Sequence, residues 1–157
     1  MRNGSRVAGA LILALGASVL AGAAAVPQDV SVAVTGLRSP RGQVLACLTA
    51  QAAAFPDCRK DPASRRLVVP VPVQGPLTLD FGAIPPGRYA VSLIHDENSN
   101  GKLDTVMMLP REGFGFSRDA RVRFGPPSFA AAAFAVEETP VRQSIRMRYM
   151  LRAGAGD

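Results

Sequence analysis

An all-β fold, an antiparallel sandwich of two sheets with about seven strands and one or two short helical turns, is predicted by three observations on this 157-residue sequence. Apolar residues recur with period two in several short runs, Gly/Pro turns separate those runs, and only one or two brief stretches favour helix. A closed barrel is the alternative arrangement of the same strands. A composition 48% hydrophobic and 19% charged is that of a folded chain rather than a disordered one, and the length suits one domain plus a processing segment.

Residues 1–25 read as a secretory signal peptide. Arg2 and Arg6 lead an apolar run from Val7 to Leu20, and the small residues 21–25 offer A-x-A cleavage sites. That run is shorter than the roughly 20 apolar residues a spanning helix needs, so no transmembrane segment is expected after processing. The mature domain, 26–157, is then expected in the periplasm or secreted. Removing two of the 18 basic residues leaves 16 against 12 acidic ones, a net charge of +4. Nucleic acid is a poor partner for an exported chain without interleaved basic and aromatic residues. In an oxidising compartment Cys47 and Cys58 are expected to pair, with free thiols or a metal as the alternatives.

The elements follow in order. Val30, Val32 and Val34 alternate with Ser31, Ala33 and Thr35 in a first strand, and Gln43–Thr49 follows beyond the Ser39-Pro40-Arg41-Gly42 turn. Ala50–Phe55 is a short helical candidate before a loop bounded by Pro56 and Pro62. Leu67–Val73 reads as a strand confined to a sheet edge by its prolines, and Leu77–Phe81 as a half-buried strand ending at Gly82. Tyr89–Ile94 is apolar on both faces, which marks a central strand. Arg121–Phe124 is a weak extended candidate, and Ser128–Val136 is ambiguous, its four alanines favouring a helical turn. From Val141 to Arg152 an apolar row alternates with Arg142, Arg146, Arg148 and Arg152. That arginine row is either a solvated outer face or an anion-binding stripe.

One segment carries chemistry. His95-Asp96-Glu97-Asn98-Ser99-Asn100-Gly101-Lys102-Leu103-Asp104 contains D-x-N-x-N-G-x-L-D. Ca²⁺ takes six to eight oxygens, and side-chain oxygens at alternate loop positions suit it. Asp96, Asn98 and Asn100 supply such oxygens, Gly101 permits the sharp turn, Lys102 offers its carbonyl and Asp104 a carboxylate. The segment matches the first nine positions of an EF-hand loop, yet Met107 stands where that loop needs a bidentate Glu and the flanks are not helical. Glu112 is the nearest carboxylate able to close the shell. The competing reading is a tight turn in which Asp and Asn bond backbone amides without any ion.

A hydrolase built on His95, Asp96 and Glu112 is disfavoured. Adjacent strand residues face opposite ways, and neither a nucleophile elbow nor an H-E-x-x-H helix is present. His95 is expected to end a core strand and hydrogen-bond a loop carbonyl. Phe114, Phe116, Phe124, Phe129 and Phe134 sit among glycines, where they plug the sandwich or line a ligand cleft.

The motifs Pro85-Pro86-Gly87-Arg88-Tyr89-Ala90-Val91, His95–Asp104, Glu112-Gly113-Phe114-Gly115-Phe116-Ser117 and Gly125-Pro126-Pro127-Ser128-Phe129 resemble those of an exported bacterial family, domain of unknown function 2141. The resemblance spans about residues 30–151 and implies a β-sandwich of the carboxypeptidase-regulatory or transthyretin-like (prealbumin-like) kind. It implies no activity. The P-P-G-x-Y-x-V segment and its acidic loop are also similar to prealbumin-like and surface-protein B-type modules. Some of those hold calcium in D-x-N-x-N-G-x-x-D loops, which supports Asp96, Asn98, Asn100 and Asp104 but gives no position for Glu112.

The expectation is therefore a non-enzymatic exported binding or accessory module of the cell envelope. It is expected to be monomeric, to carry one disulfide and a Ca²⁺-organised loop, and to act on an unidentified envelope partner or small ligand. The alternative is a small-molecule or glycan binder using the phenylalanine and glycine loops.

Overall fold

The computed structural model describes residues 25–151. All but the last residue of the expected signal peptide lie outside them. Ten strands are present: β1 (Gln28–Thr35), β2 (Gln43–Thr49), β3 (Arg65–Pro70), β4 (Leu77–Ile84), β5 (Gly87–Asp96), β6 (Thr105–Val106), β7 (Leu109–Pro110), β8 (Gly113–Phe116), β9 (Phe134–Val136) and β10 (Val141–Arg146). One sheet has the order β10-β1-β4. The other runs β3-β2-β5-β8, with β9 also on β5.

The two sheets bury one core between them. Val30, Val32 and Val34 of β1, Leu77 and Leu79 of β4 and Ile145 of β10 line it from the first sheet, and Val44, Ala46 and Leu48 of β2 with Val91 and Leu93 of β5 line it from the second. This is the sandwich its two-residue periodicity predicts, since every second side chain of each strand points inward. β3 pairs only with β2, so its proline-bearing strand lies at an edge as expected. β5 is central and covered on both faces. On its outer face Ala90 joins Phe114 and Phe116 of the neighbouring β8, with Ala120 and Ala132, in a second buried cluster against which Phe55 and Phe129 pack.

Segment 50–64 belongs to that outer layer and is pinned there by the Cys47–Cys58 disulfide, whose Cα atoms are 6.1 Å apart. Asp61 reinforces it, accepting hydrogen bonds from Thr49 Oγ1, Gln51 Nε2 and the Ala63 amide.

Several elements depart from expectation. Ala50–Phe55 forms turns, not a helix. Its amides at Ala54 and Phe55 both reach the Gln51 carbonyl, and the chain is then diverted at Pro56 before a helical ladder can propagate. β4 does not stop at Gly82. Gly82, with φ +69°, carries a bulge opposite the Val30/Ser31 register shift, and the strand resumes to a buried Ile84. Arg121–Phe124 forms no strand. The ambiguous Ser128–Val136 is both things in turn: a helical turn α1 (Phe129–Ala132), capped by the Ser128 side chain on the Ala131 amide, and then β9. β10 pairs with β1 in parallel, the remaining strand pairs being antiparallel.

The stretch after the acidic loop, expected to be irregular, contains the β6–β7 hairpin. Its two central residues, Met107 (φ 50°) and Met108 (φ 65°), both occupy the left-handed region. Asn-Gly is the pair that such a turn favours, because Gly has no Cβ and the short Asn side chain bonds locally, whereas other side chains pay about 1–2 kcal/mol there. Both methionine side chains are more than nine-tenths exposed, so packing returns nothing. M107N/M108G is accordingly expected to stabilise the domain by about 1–2 kcal/mol. A urea midpoint no higher than that of the wild type would contradict this.

Candidate functional site

β5 delivers His95 and Asp96 to one end of the sandwich, on opposite faces of the strand. Asp96 is fully buried. Its Oδ2 accepts from Gln43 Nε2 (2.8 Å) and the Gly101 amide (2.8 Å), while Oδ1 accepts from the Asn100 amide (3.0 Å). One carboxylate thus winds the loop back onto the end of its own strand. Gly101, at φ +80°, makes the reversal.

Further out, Asn98 and Asn100 turn toward Asp104. Asn98 Nδ2 donates to Asp104 Oδ2 (2.8 Å), and Asn100 Nδ2 donates to Oδ1 (3.0 Å) and Oδ2 (2.9 Å). Their Oδ1 atoms accept from the Asn100 and Lys102 amides. Those hydrogen bonds from Asn100 and Asn98 hold the Asp104 carboxyl below its usual range. Lys102 Nζ lies 4.0 Å from Asp104 Oδ1.

Glu112, nearly buried, clamps the loop from the far side. Its Oε1 accepts from the Glu97 amide and its Oε2 from the Asp104 amide, each at 3.0 Å. Burial, with smaller contributions from the Asp104 and Asp96 charges, raises its pKa against these two hydrogen bonds. Glu97 points away from the loop. It pairs with the Arg38 guanidinium and accepts from Ser39 Oγ. Burial pushes the Glu97 carboxyl up, but the bonds from Arg38 and Ser39 outweigh it and leave the pKa lowered.

His95 is fully buried, and its Nε2 donates to the Arg41 carbonyl at 2.8 Å, the loop-carbonyl bond the sequence predicts. A carbonyl only accepts, so Nε2 carries the ring proton. Tyr149 Oη then donates to Nδ1 (2.7 Å) while accepting the Arg38 amide (3.1 Å). The Arg38 guanidinium lies 4.4 Å above the Tyr149 ring. Both imidazole nitrogens are therefore committed to structure. The serines are committed as well: Ser92 donates to the Pro56 carbonyl, Ser117 to that of Ala132, and Ser128 caps α1.

Sequence reasoning thus places Asp96, Asn98, Asn100, Lys102, Asp104 and Glu112 in one neighbourhood, and the structure brings their loop and its clamp together. It misses the role of Gln43, which stands opposite Asp96 in the β2–β5 register, and the close approach of Gly42 to β5, set by that pairing across 53 residues. Neither carries a local signal.

The phenylalanines divide. Phe114 and Phe116 are buried in the outer layer, Phe134 lies in the inter-sheet core, and Phe124 is fully exposed. A cleft of about 400 Å³ lies between residues 121–123 and 148–150, with Phe114 in its wall and Phe116 absent from it.

The model of the family described as uncharacterized protein conserved in bacteria, DUF2141, matches residues 32–144, which include both sheets and the acidic loop. The chain belongs to this family. No curated protein and no solved structure matches it. Among the described residues of this DUF2141 protein, no helix is long and apolar enough to cross a membrane.

Among those residues, too, no three His, Cys, Asp or Glu side chains converge as a metal set of their own. A cation at loop 96–104 would rest on amide and backbone oxygens beside carboxylates. The loop fits that on one condition. Rotating the Asn98 and Asn100 amides by half a turn exchanges nitrogen for oxygen, so two neutral oxygens replace two donors at the Asp104 carboxylate. The Asn100 amide keeps its bond to Asp96 Oδ1 after that turn, and the Lys102 amide lies in exposed chain open to solvent.

Proposed function

We propose that this DUF2141 protein is an exported, non-enzymatic binding or accessory module of the cell envelope whose loop 96–104 takes up Ca²⁺ as a structural ion. The observation that supports the reading is the convergence of the Asn98 and Asn100 side-chain amides on the Asp104 carboxylate at 2.8–3.0 Å, above a backbone already wound by Asp96. Bound Ca²⁺ supplies positive charge in place of the amide hydrogens. Asp104, Asn98, Asn100 and the Lys102 carbonyl would hold it, with Glu112 holding the loop's two ends. Affinity in the 10⁻⁴–10⁻³ M range, that of extracellular modules, suits so few carboxylates.

Thermal melts in EDTA and in Ca²⁺ up to about 10 mM, with Mg²⁺ as control, test the reading. With free Ca²⁺ at about 100 times Kd, stabilisation of roughly 2.7 kcal/mol is expected, and Asp104→Ala should abolish it. Asp104 is the right residue to remove because its contacts are at the surface, whereas Asp96 supports the loop with or without an ion. The gain should grow with pH. A carboxyl whose folded pKa is raised, as that of Glu112 is above 4.5, lends stability that is full below its unfolded pKa and lost as the pH rises through the folded one. A nearby cation offsets that loss, so the Ca²⁺ increment should be smaller near pH 4.5 than at pH 7. No saturable rise in the melting temperature at pH 7 would overturn the ion.

A second reading, a small anionic ligand with an apolar body, draws on the cleft where Arg121, Arg123 and Arg148 stand beside Phe114 and Tyr149. Arg121→Ala/Arg123→Ala weakening a ligand's binding without altering the melt would favour it.

A further inference from the structure

β3 has a partner strand on one side only, which leaves its other edge open. Which groups face that edge follows from one hydrogen bond. The Val71 amide donates to the Gly42 carbonyl, the next pair in the β2–β3 register, so Val69, Leu67 and Arg65 also turn their backbone groups toward β2. Arg66 and Val68 then present an N–H and a C=O each to the open edge, and Pro70 a carbonyl. Pro70 falls where β2 loses no donor. The core is unfinished at this edge as well. Leu67 and Val69 pack against it only half-buried, while Ala46 and Val44, opposite them on β2, are buried.

A row of open backbone groups is complementary to an extended backbone, and the charge beside it selects which one. Between Asp61 and Asp80 the only charged residues are Arg65 and Arg66, and β2 carries none. Both arginines are exposed and make no ion pair among the described residues, and the exposed Lys60 precedes them. The carboxylates nearest in the chain are engaged elsewhere. Asp57 pairs with Arg59, and the buried Asp61 accepts from Thr49, Gln51 and Ala63. Asp80 lies on the outer face of the other sheet, where it holds the Gly82 amide. Cations and proline at an edge discourage indiscriminate pairing. Here every charge has one sign, so the edge rejects a second copy of β3, which brings two more arginines, and admits a strand that carries carboxylates.

We propose that the open edge of β3 receives an extended acidic segment of a partner protein as an added strand. Its backbone pairs with Arg66 and Val68, every second side chain covers Leu67 and Val69, and carboxylates at the alternate positions and at the segment's end meet Arg66 and Arg65. Main-chain hydrogen bonds supply the affinity and the arginines the choice of partner. This names a partner class for the binding-module reading and rests on it, but not on the ion of loop 96–104.

The probe is a capped peptide alternating glutamate and valine over the length of β3, used in EDTA so that the calcium melts stand or fall separately. On binding, amide hydrogen exchange is expected to slow at Arg66 and Val68, with little change at Leu67 and Val69, whose amides are already in the β2 ladder. N-methylation of the glutamates should abolish an antiparallel pairing and N-methylation of the valines a parallel one, so one of the two methylated peptides keeps its affinity. R65E/R66E, at an unchanged melting temperature, should weaken the acidic peptide at least about tenfold and admit a peptide of lysine and valine instead. No binding, exchange at Arg66 and Val68 unchanged by a bound peptide, or equal affinity for both methylated peptides would overturn the proposal. Inorganic polyphosphate bound through Arg65 and Arg66 while the acidic peptide is ignored would overturn it in favour of an anionic polymer.

Discussion

Gly42→Ala is expected to destabilise the domain by about 3–5 kcal/mol, enough to leave it largely unfolded if its total stability is ordinary. Two effects add. Gly42 sits at φ +73°, where a side chain costs about 1–2 kcal/mol. A Cβ there would also stand 2.0 Å from the Asp96 carbonyl oxygen and 2.7 Å from the Glu97 Cα. Those are backbone atoms at the root of the acidic loop, so no side-chain rotation relieves the overlap. Gly75 separates the two effects, because it has φ +89° with nothing within 4 Å of the added atom. Gly75→Ala should cost only the conformational part, about 1 kcal/mol. Urea unfolding of the two variants side by side checks the claim, and equal midpoints would show that the close approach at Gly42 carries no weight.

What could be read from the sequence divides along the range of the forces involved. Period-two alternation is local, so the inward rows of β1, β2 and β5 and the edge position of the Pro70 strand are legible residue by residue. So is the centrality of β5, because apolar residues on both faces require cover on both. The β4 bulge is present in the pattern in retrospect. Its inward residues step from Leu77, Leu79 and Phe81 to Ile84, a change of parity with a glycine at the change. The parallel pairing of β10 with β1 is not legible, since it depends on how the chain crosses the end of the sandwich and not on any strand's own alternation. The acidic loop is half legible. Asp, Asn and Gly announce a wound turn, and Glu112 is the right carboxylate to look for. That Glu112 binds the amides at the two ends of the loop, and that Gln43 reaches Asp96 from β2, follows from register across long separations.

Asp96→Ala is expected to cost about 3–5 kcal/mol even in EDTA, because this carboxylate is a structural keystone before it is a candidate ligand. It is fully buried and accepts from Gln43 Nε2 and from the Asn100 and Gly101 amides. Hydrogen bonds to a charged acceptor contribute roughly 1.5–3 kcal/mol each, and truncation strands all three donors, of which only those nearest solvent recover water. Asp96→Asn tests the charge separately. The amide keeps the shape, but its oxygen has lone pairs for two of the three donors, and its NH₂ faces the third. An intermediate loss of about 1–3 kcal/mol follows. Asp104→Ala, by contrast, removes only surface contacts and should leave the EDTA midpoint close to that of the wild type. The three variants therefore form a series in which Asp96 reads the loop's framework and Asp104 reads its ion. An EDTA midpoint for Asp96→Ala as high as that of Asp104→Ala would mean that the buried carboxylate does not support the loop. The winding of residues 96–104 would then have to come from Glu112 alone.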